Sequence, residues 1–124
     1  MFKTELDKLL FEPPPPGCVL SLTGLPQSGG TIQDRSSYGN HGAITGAVWR
    51  KSEGGIWCLY FDGNDDYILV PHNASLNLTL PCAFETWWYR DNITGDHAFC
   101  DKGFNTGTFA GYHITTLANT LAFY

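Results

Sequence analysis

The chain has 124 residues, a length that corresponds to a single domain. It carries 7 Lys and Arg against 12 Asp and Glu, a net charge of −5, and its basic residues form no run, which excludes the positive surface that binding to nucleic acids or anionic membranes needs. Hydrophobic residues make up 43% of the chain, enough for a packed core, but no apolar run reaches the roughly 20 residues of a membrane-spanning helix.

The first residues form a segment with its own pattern. Phe2, Leu6, Leu9 and Leu10 follow a helical spacing, which predicts a short helix over 2–11. Four consecutive prolines end it and favour a stiff spacer. We therefore expect residues 1–16 to be an appendage and linker, which either packs incidentally or docks on another chain, and residues 17–124 to be the main domain.

The start of the chain also bears on localisation. It alternates charged with apolar residues and lacks the uninterrupted apolar core of a secretory signal. The expectation is a protein made in the cytoplasm, which is extracellular if the chain is a fragment of a longer secreted protein.

From Cys18 onward, short runs of branched and aromatic residues are separated by Gly, Asn, Asp and Pro, a pattern typical of an all-β sandwich or barrel. The strands are predicted at 18–23, 43–49, 56–61, 66–70, 82–90, 97–101, 110–116 and 120–124. In the longest, 82–90, neither alternating set of residues is plainly polar, which predicts a central strand.

The turns between these runs have specific chemistry. Asp62-Gly63 is a strong hairpin signal and predicts pairing between the two runs that flank it. Asp34 and Asn40 are expected to close hydrogen bonds onto their own loop, with Gly39 and Gly42 permitting the tight path.

The four cysteines, at positions 18, 58, 82 and 100, lie too far apart in sequence for a structural zinc site. Each lies within an apolar run. In a chain without a secretory signal this favours reduced, buried thiols over disulfides.

Three segments carry a more specific signal than any single turn. The first is Asp34-Arg35-Ser36-Ser37-Tyr38-Gly39-Asn40-His41-Gly42, followed by Ile44-Thr45-Gly46-Ala47-Val48-Trp49; the second is Leu59-Tyr60-Phe61-Asp62-Gly63-Asn64-Asp65-Asp66-Tyr67-Ile68-Leu69-Val70-Pro71; the third is Ala83-Phe84-Glu85-Thr86-Trp87-Trp88-Tyr89 with His97-Ala98-Phe99-Cys100-Asp101-Lys102-Gly103 behind it. In this order they resemble the laminin G-like, concanavalin A-like jelly-roll domains. The resemblance covers about residues 18–124 and implies an antiparallel jelly-roll sandwich.

The resemblance also exposes a departure. Similar domains continue past the segment that matches Leu121-Ala122-Phe123-Tyr124, so about half of the sandwich is expected to be absent. The uncovered edges and sheet face of such a half-domain would be a liability. Either the chain is a fragment of a longer protein, or the fold is completed by oligomerisation.

Catalysis is not expected, and no catalytic residue is predicted. Glycosidases need two flanking carboxylates, whereas the best candidate strand offers Glu85 alone. The sequence contains neither a Gly-x-Ser-x-Gly elbow nor a His-Glu-x-x-His motif, and its four histidines are scattered.

Two sets of residues are candidate binding sites. Asp62, Asp65 and Asp66 concentrate carboxylates that could hold calcium, although the same residues suffice to form a tight turn. Exposed aromatic rings could stack on sugars. Because tryptophans in a small sandwich usually belong to the core, Trp88 and Tyr89 are the two predicted ligand-binding residues.

The leading functional hypothesis is a non-catalytic binding or adhesion module whose ligand is a carbohydrate or a protein surface. A second hypothesis is a structural subunit of a filament or a virion, such as a phage tail or head appendage, that associates with itself or with neighbouring subunits. A third is a fragment of a larger secreted or cell-surface protein. Beyond a possible calcium ion, no cofactor is expected.

Overall fold

The computed structural model describes residues 12–23, 26, 29–91, 94–105, 108–117 and 120–123. The helix predicted over 2–11 lies outside these residues. The described residues are all-β, with antiparallel sheets and one 3-10 helix at Ala74–Leu76. No helix in this part of the chain has the length and apolarity needed to cross a membrane. The chain divides into a first unit that ends at Leu76 and a second unit that begins at Asn77.

The described residues of the first unit form five short strands in two sheets. They are β1 (Thr31–Ile32), β2 (Gly42–Thr45), β3 (Val48–Lys51), β4 (Trp57–Tyr60) and β5 (Tyr67–Leu69). One sheet has the order β1-β2-β5, and β3 pairs with β4 in the other. All of these pairs are antiparallel, and Ile44 of β2 lies opposite Ile68 of β5.

Two predicted strands of this unit are wrong. The run 43–49 divides into β2 and β3, because Gly46 between them has a φ of 75° and turns the chain into the second sheet. The run 18–23 forms no strand; it contributes a single bridge between Leu22 and Asp34. Its branched residues favour a strand, but a ladder needs a partner strand along its whole length.

The hairpin predicted at Asp62-Gly63 is also wrong. The flanking strands exist as β4 and β5, but β4 pairs with β3 and β5 pairs with β2. The turn therefore links two sheets. Gly63 has the positive φ of 82° that the turn chemistry requires, so the local conformation was predicted and the strand pairing was not.

The second unit contains a three-stranded sheet of order β6-β7-β8, formed by His97–Asn105, Thr108–Leu117 and Thr120–Phe123. These strands confirm the runs predicted at 97–101 and 110–116, and the described part of the run at 120–124. The register shifts between Ala98 and Cys100, which leaves Phe99 in a bulge of β6.

The central strand predicted over 82–90 is wrong. No residue of this stretch belongs to a sheet ladder, and all but Arg90 are exposed. The stretch is instead attached to the β6–β7 sheet by side chains. Aromatic and branched residues favour a strand only where a neighbouring backbone offers hydrogen bonds, and no described strand pairs with this stretch.

The buried apolar side chains of the described residues include Ile32, Leu76 and Ile114. All four cysteines are unpaired, as predicted for reduced thiols, but Cys58 and Cys82 are exposed rather than buried. Burial raises the pKa of the Cys100 thiol, and the neighbouring Asp101 carboxylate adds to the effect, so Cys100 stays a neutral thiol near pH 7.

Candidate functional site

The acidic turn, residues 62–66, lies in the first unit between β4 and β5. One carboxylate oxygen from each of Asp62, Asp65 and Asp66 lies within 4.8 Å of the others. The structure thus brings together the three residues that were predicted as calcium ligands. Asp62 and Asp65 are exposed and Asp66 is partly buried, so a cation here would keep much of its water.

Hydrogen bonds inside the acidic turn also explain its shape without an ion. Asp62 Oδ1 accepts from the backbone N–H of Asn64 at 2.8 Å, and its Oδ2 accepts from Asn64 Nδ2 at 3.2 Å. Asp66 Oδ2 accepts from the backbone N–H of Asp62 at 2.8 Å. The bonds from Asn64 hold the pKa of Asp62 below its usual value, because they favour the ionised carboxylate.

Gly46, between β2 and β3, lies directly against the side chain of Asp66 in the acidic turn. A Cβ atom at this position would collide with Oδ1 of Asp66. The absence of a side chain at Gly46 therefore lets the carboxylate of Asp66 lie against the backbone. The sequence contains no local signal for this contact, because 20 positions separate the two residues.

The second candidate site is the aromatic segment, residues 82–90 of the second unit. Phe84, Trp88 and Arg90 of this segment contact the β6–β7 sheet. The rings of Phe84 and Tyr112 have centroids 5.0 Å apart, and those of Trp88 and Phe99 are 4.6 Å apart. Arg90 Nη1 donates to Thr116 Oγ1 at 3.2 Å.

The contact between the rings of Phe84 and Tyr112 shields Tyr112 from water. Burial raises the pKa of the Tyr112 phenol, and the nearby thiols of Cys100 and Cys82 act in the same direction. The phenol is therefore neutral throughout the physiological range, and the side of the aromatic segment that faces the sheet is a packing surface.

The two predicted ligand-binding residues therefore differ in their surroundings. The Tyr89 side chain is 89% exposed, whereas Trp88 is 49% exposed and packs against Phe99. Trp87, which the sequence assigned to the core, is instead 77% exposed. Alternation along 84–90 separates Trp87 and Tyr89 from Trp88 once one inward residue is known.

The loop 34–40 is a structural element rather than a site. Asp34 is 7% exposed, and its carboxylate accepts from the backbone N–H groups of Ser21, Ser36 and Asn40 and from the Ser36 hydroxyl. The bond from Ser36 confirms the predicted Asx-type turn at Asp34. The prediction for Asn40 is wrong, because its Nδ2 donates to Val19 O and Ser75 Oγ outside the loop.

The glycines and histidine of this loop are likewise structural. Gly39 has the expected positive φ of 67°. Gly42 instead makes room for packing, since a Cβ there would collide with Ile68 Cγ2. His41 Nδ1 accepts from the backbone N–H of Asp34 at 3.0 Å and so joins the two ends of this loop.

A comparison with models of protein families, with curated proteins and with solved structures finds no match for this chain.

Proposed function

We propose that this chain is a non-catalytic binding or adhesion module of the laminin G-like, concanavalin A-like jelly-roll class, with a carbohydrate or a protein surface as its ligand. The observation that carries the proposal is the exposure of Trp87 and Tyr89, at 77% and 89%, on one short segment of an all-β chain. Large aromatic side chains left in water cost free energy unless a ligand covers them.

The motifs quoted above support the jelly-roll class, and the antiparallel sheets of both units are compatible with it. A jelly roll by itself hosts many activities, so the function is argued from the surface and not from the fold. Protruding rings suit a ligand with apolar faces, such as a sugar ring or the side chains of a protein.

A glycan array tests this proposal. We expect the full chain to bind a subset of the printed glycans, and the double variant Trp87→Ala/Tyr89→Ala to lose that binding while its circular dichroism spectrum stays unchanged. Binding that the double variant retains would place the ligand elsewhere and contradict the proposal. Release of reducing sugar from a bound glycan would contradict the non-catalytic part.

The same exposed rings also favour a second candidate, a structural subunit of a filament or virion. In that case the aromatic segment would be covered by a neighbouring subunit. Light scattering behind size exclusion separates the two candidates. A binding module is expected to be monomeric at micromolar concentration, whereas a structural subunit is expected to assemble and to dissociate in the double variant.

A further inference from the structure

The aromatic segment has two chemically different sides. Phe84, Trp88 and Arg90 contact the β6–β7 sheet through Tyr112, Phe99 and Thr116 respectively. All three are even-numbered, and alternation with a period of two is the property of an extended chain. The odd-numbered residues Glu85, Trp87 and Tyr89 therefore form a row on the opposite side.

This outward row is ordered by a contact of its own. Trp87 Nε1 donates to Glu85 Oε1 at 3.2 Å. The bond links residues two positions apart, which agrees with their lying on one side of an extended segment. It restricts the rotation of the indole and leaves the ring face of Trp87 in water. Tyr89 follows at the next outward position and is 89% exposed.

We propose that this row binds an extended neutral glycan chain, with Trp87 and Tyr89 as stacking platforms for successive sugar units and Glu85 as the residue that positions the indole. The inference rests on the proposed function and names its ligand class and residues. Alternate residues of an extended chain lie roughly 7 Å apart, a separation comparable with the length of one sugar unit. Sugar rings present apolar C–H faces to aromatic rings and hydroxyls to polar neighbours.

The size of the row favours a glycan over a protein partner. Two aromatic side chains bury roughly 300–500 Å² at most, whereas a stable protein interface needs about 800 Å² from each partner. A narrow row with a carboxylate at one end offers stacking and a hydrogen-bond acceptor, which are the groups that a single glycan strand uses.

The charge of the row favours a neutral glycan over a sulfated or sialylated one. Glu85 places a carboxylate in the row, and the whole chain has a net charge of −5. The basic residue of the segment, Arg90, is directed to the sheet, where it bonds Thr116. An anionic glycan would meet repulsion at this surface without a facing guanidinium to offset it.

The test is a titration of the full chain with oligosaccharides, in which binding is measured by isothermal calorimetry and by tryptophan fluorescence. The neutral probes are cellohexaose, laminarihexaose, mannohexaose and xylohexaose, and the anionic probe is a heparin hexasaccharide. We expect at least one neutral hexasaccharide to bind and the heparin probe to bind at least tenfold more weakly. Trp87→Ala is expected to weaken the neutral interaction at least tenfold, which corresponds to about 1.4 kcal/mol.

Three further variants test which residues are responsible for the binding. Tyr38→Ala removes a 50% exposed aromatic residue of the first unit and is the matched control; it should leave the affinity unchanged. Glu85→Gln keeps an acceptor for the Trp87 indole and should retain the affinity within about twofold, whereas Glu85→Ala should lower it several-fold. Rescue by Gln, without loss of folding in either variant, distinguishes positioning from a general structural role.

Each other outcome overturns the inference in a distinguishable way. Tighter binding of heparin that still depends on Trp87 would refute the neutral ligand and leave the proposed binding function intact. Neutral binding that Trp87→Ala does not weaken would refute the stacking pair. Failure of the parent chain to bind any of these probes, together with a blank glycan array, would refute the inference and the carbohydrate form of the proposed function together.

Discussion

Asn40 and Ser75 are joined by a hydrogen bond of 2.9 Å from the side-chain amide to the hydroxyl, across 35 positions of sequence. The same amide nitrogen donates to the carbonyl of Val19 at 2.7 Å. The side chain of Asn40 is thus a polar junction between three stretches of the first unit. It is 4% exposed, and its backbone N–H donates to Asp34.

The buried carboxylate of Asp34 should be a major determinant of stability. Asp34→Ala would leave four donors without their acceptor in a site that is 7% exposed. We expect the free energy of unfolding to fall by about 3 kcal/mol, measured by urea denaturation. Glu53→Ala, an exposed acidic position of the same unit, is the control and should change it by less than about 0.5 kcal/mol. Equal effects of the two substitutions would contradict this role.

Acid should destabilise the chain partly through the same residue. Burial alone would raise the pKa of Asp34, but its hydrogen bonds from Ser36, Ser21 and Asn40 outweigh burial and hold the pKa below the ordinary value of 3.8. The ionised form therefore stabilises the fold fully above pH 3.8, and this contribution is lost as the pH falls through the lower pKa of the folded state. Urea denaturation at a series of pH values should show a shallower acid dependence for Asp34→Asn than for the parent. Parallel curves would refute the assignment.

Gly46 should tolerate a side chain less well than other glycines with a similar backbone. Gly46 and Gly55 have φ of 75° and 81°, but an added Cβ meets Asp66 at Gly46 and open space at Gly55. Gly55→Ala should cost about 1 kcal/mol of backbone strain, and Gly46→Ala at least about 1 kcal/mol more. Adding Asp66→Ala to Gly46→Ala should recover part of the difference in thermal melts. If Asp66→Ala gives no recovery, the contact with Asp66 is not the cause of the additional destabilisation by Gly46→Ala.

The acidic turn was predicted as either a calcium site or a purely structural turn, and only a calcium site would make the melting temperature rise when calcium is added. The weakest protein calcium sites have dissociation constants of about 10⁻⁴–10⁻³ M, so the rise should appear at millimolar calcium and not at equal magnesium. Asp65→Asn is expected to abolish the rise in melting temperature, because it removes one of the three carboxylates. The turn itself should persist, since the carboxylates of Asp62 and Asp66 accept its hydrogen bonds. Glu53→Asn controls for lost charge. A rise that survives Asp65→Asn would place the ion elsewhere, and no rise would leave the turn as a purely structural element.

Local signals in the sequence were sufficient for part of this structure. The turn glycines Gly39 and Gly63, the Asx turn at Asp34 and the convergence of the three aspartates all depend on residues within a few positions of each other. The positions of β4 to β8 followed from runs of branched and aromatic residues for the same reason. The all-β class was predicted from these runs and is confirmed.

Strand partners and exposure depended on distant contacts. The Asp62-Gly63 turn gives no information about whether β4 meets β5 or β3, because a turn restricts the backbone direction and not the hydrogen bonds beyond it. Adjacent tryptophans in 82–90 look equivalent in sequence. The packing of Trp88 on Phe99 made the difference between a ring that is half covered and its neighbour Trp87, which is open to a ligand.

The order of amino acids thus accounts for the β-rich class, the turns and the acidic cluster, since these arise from backbone preferences and from residues that are close in the chain. The fold alone selects the sheet order, the burial of Asp34 and the outward row of Glu85, Trp87 and Tyr89. These depend on which distant surfaces pack together, and packing free energy is set by the groups that meet and not by the local pattern of the residues that carry them.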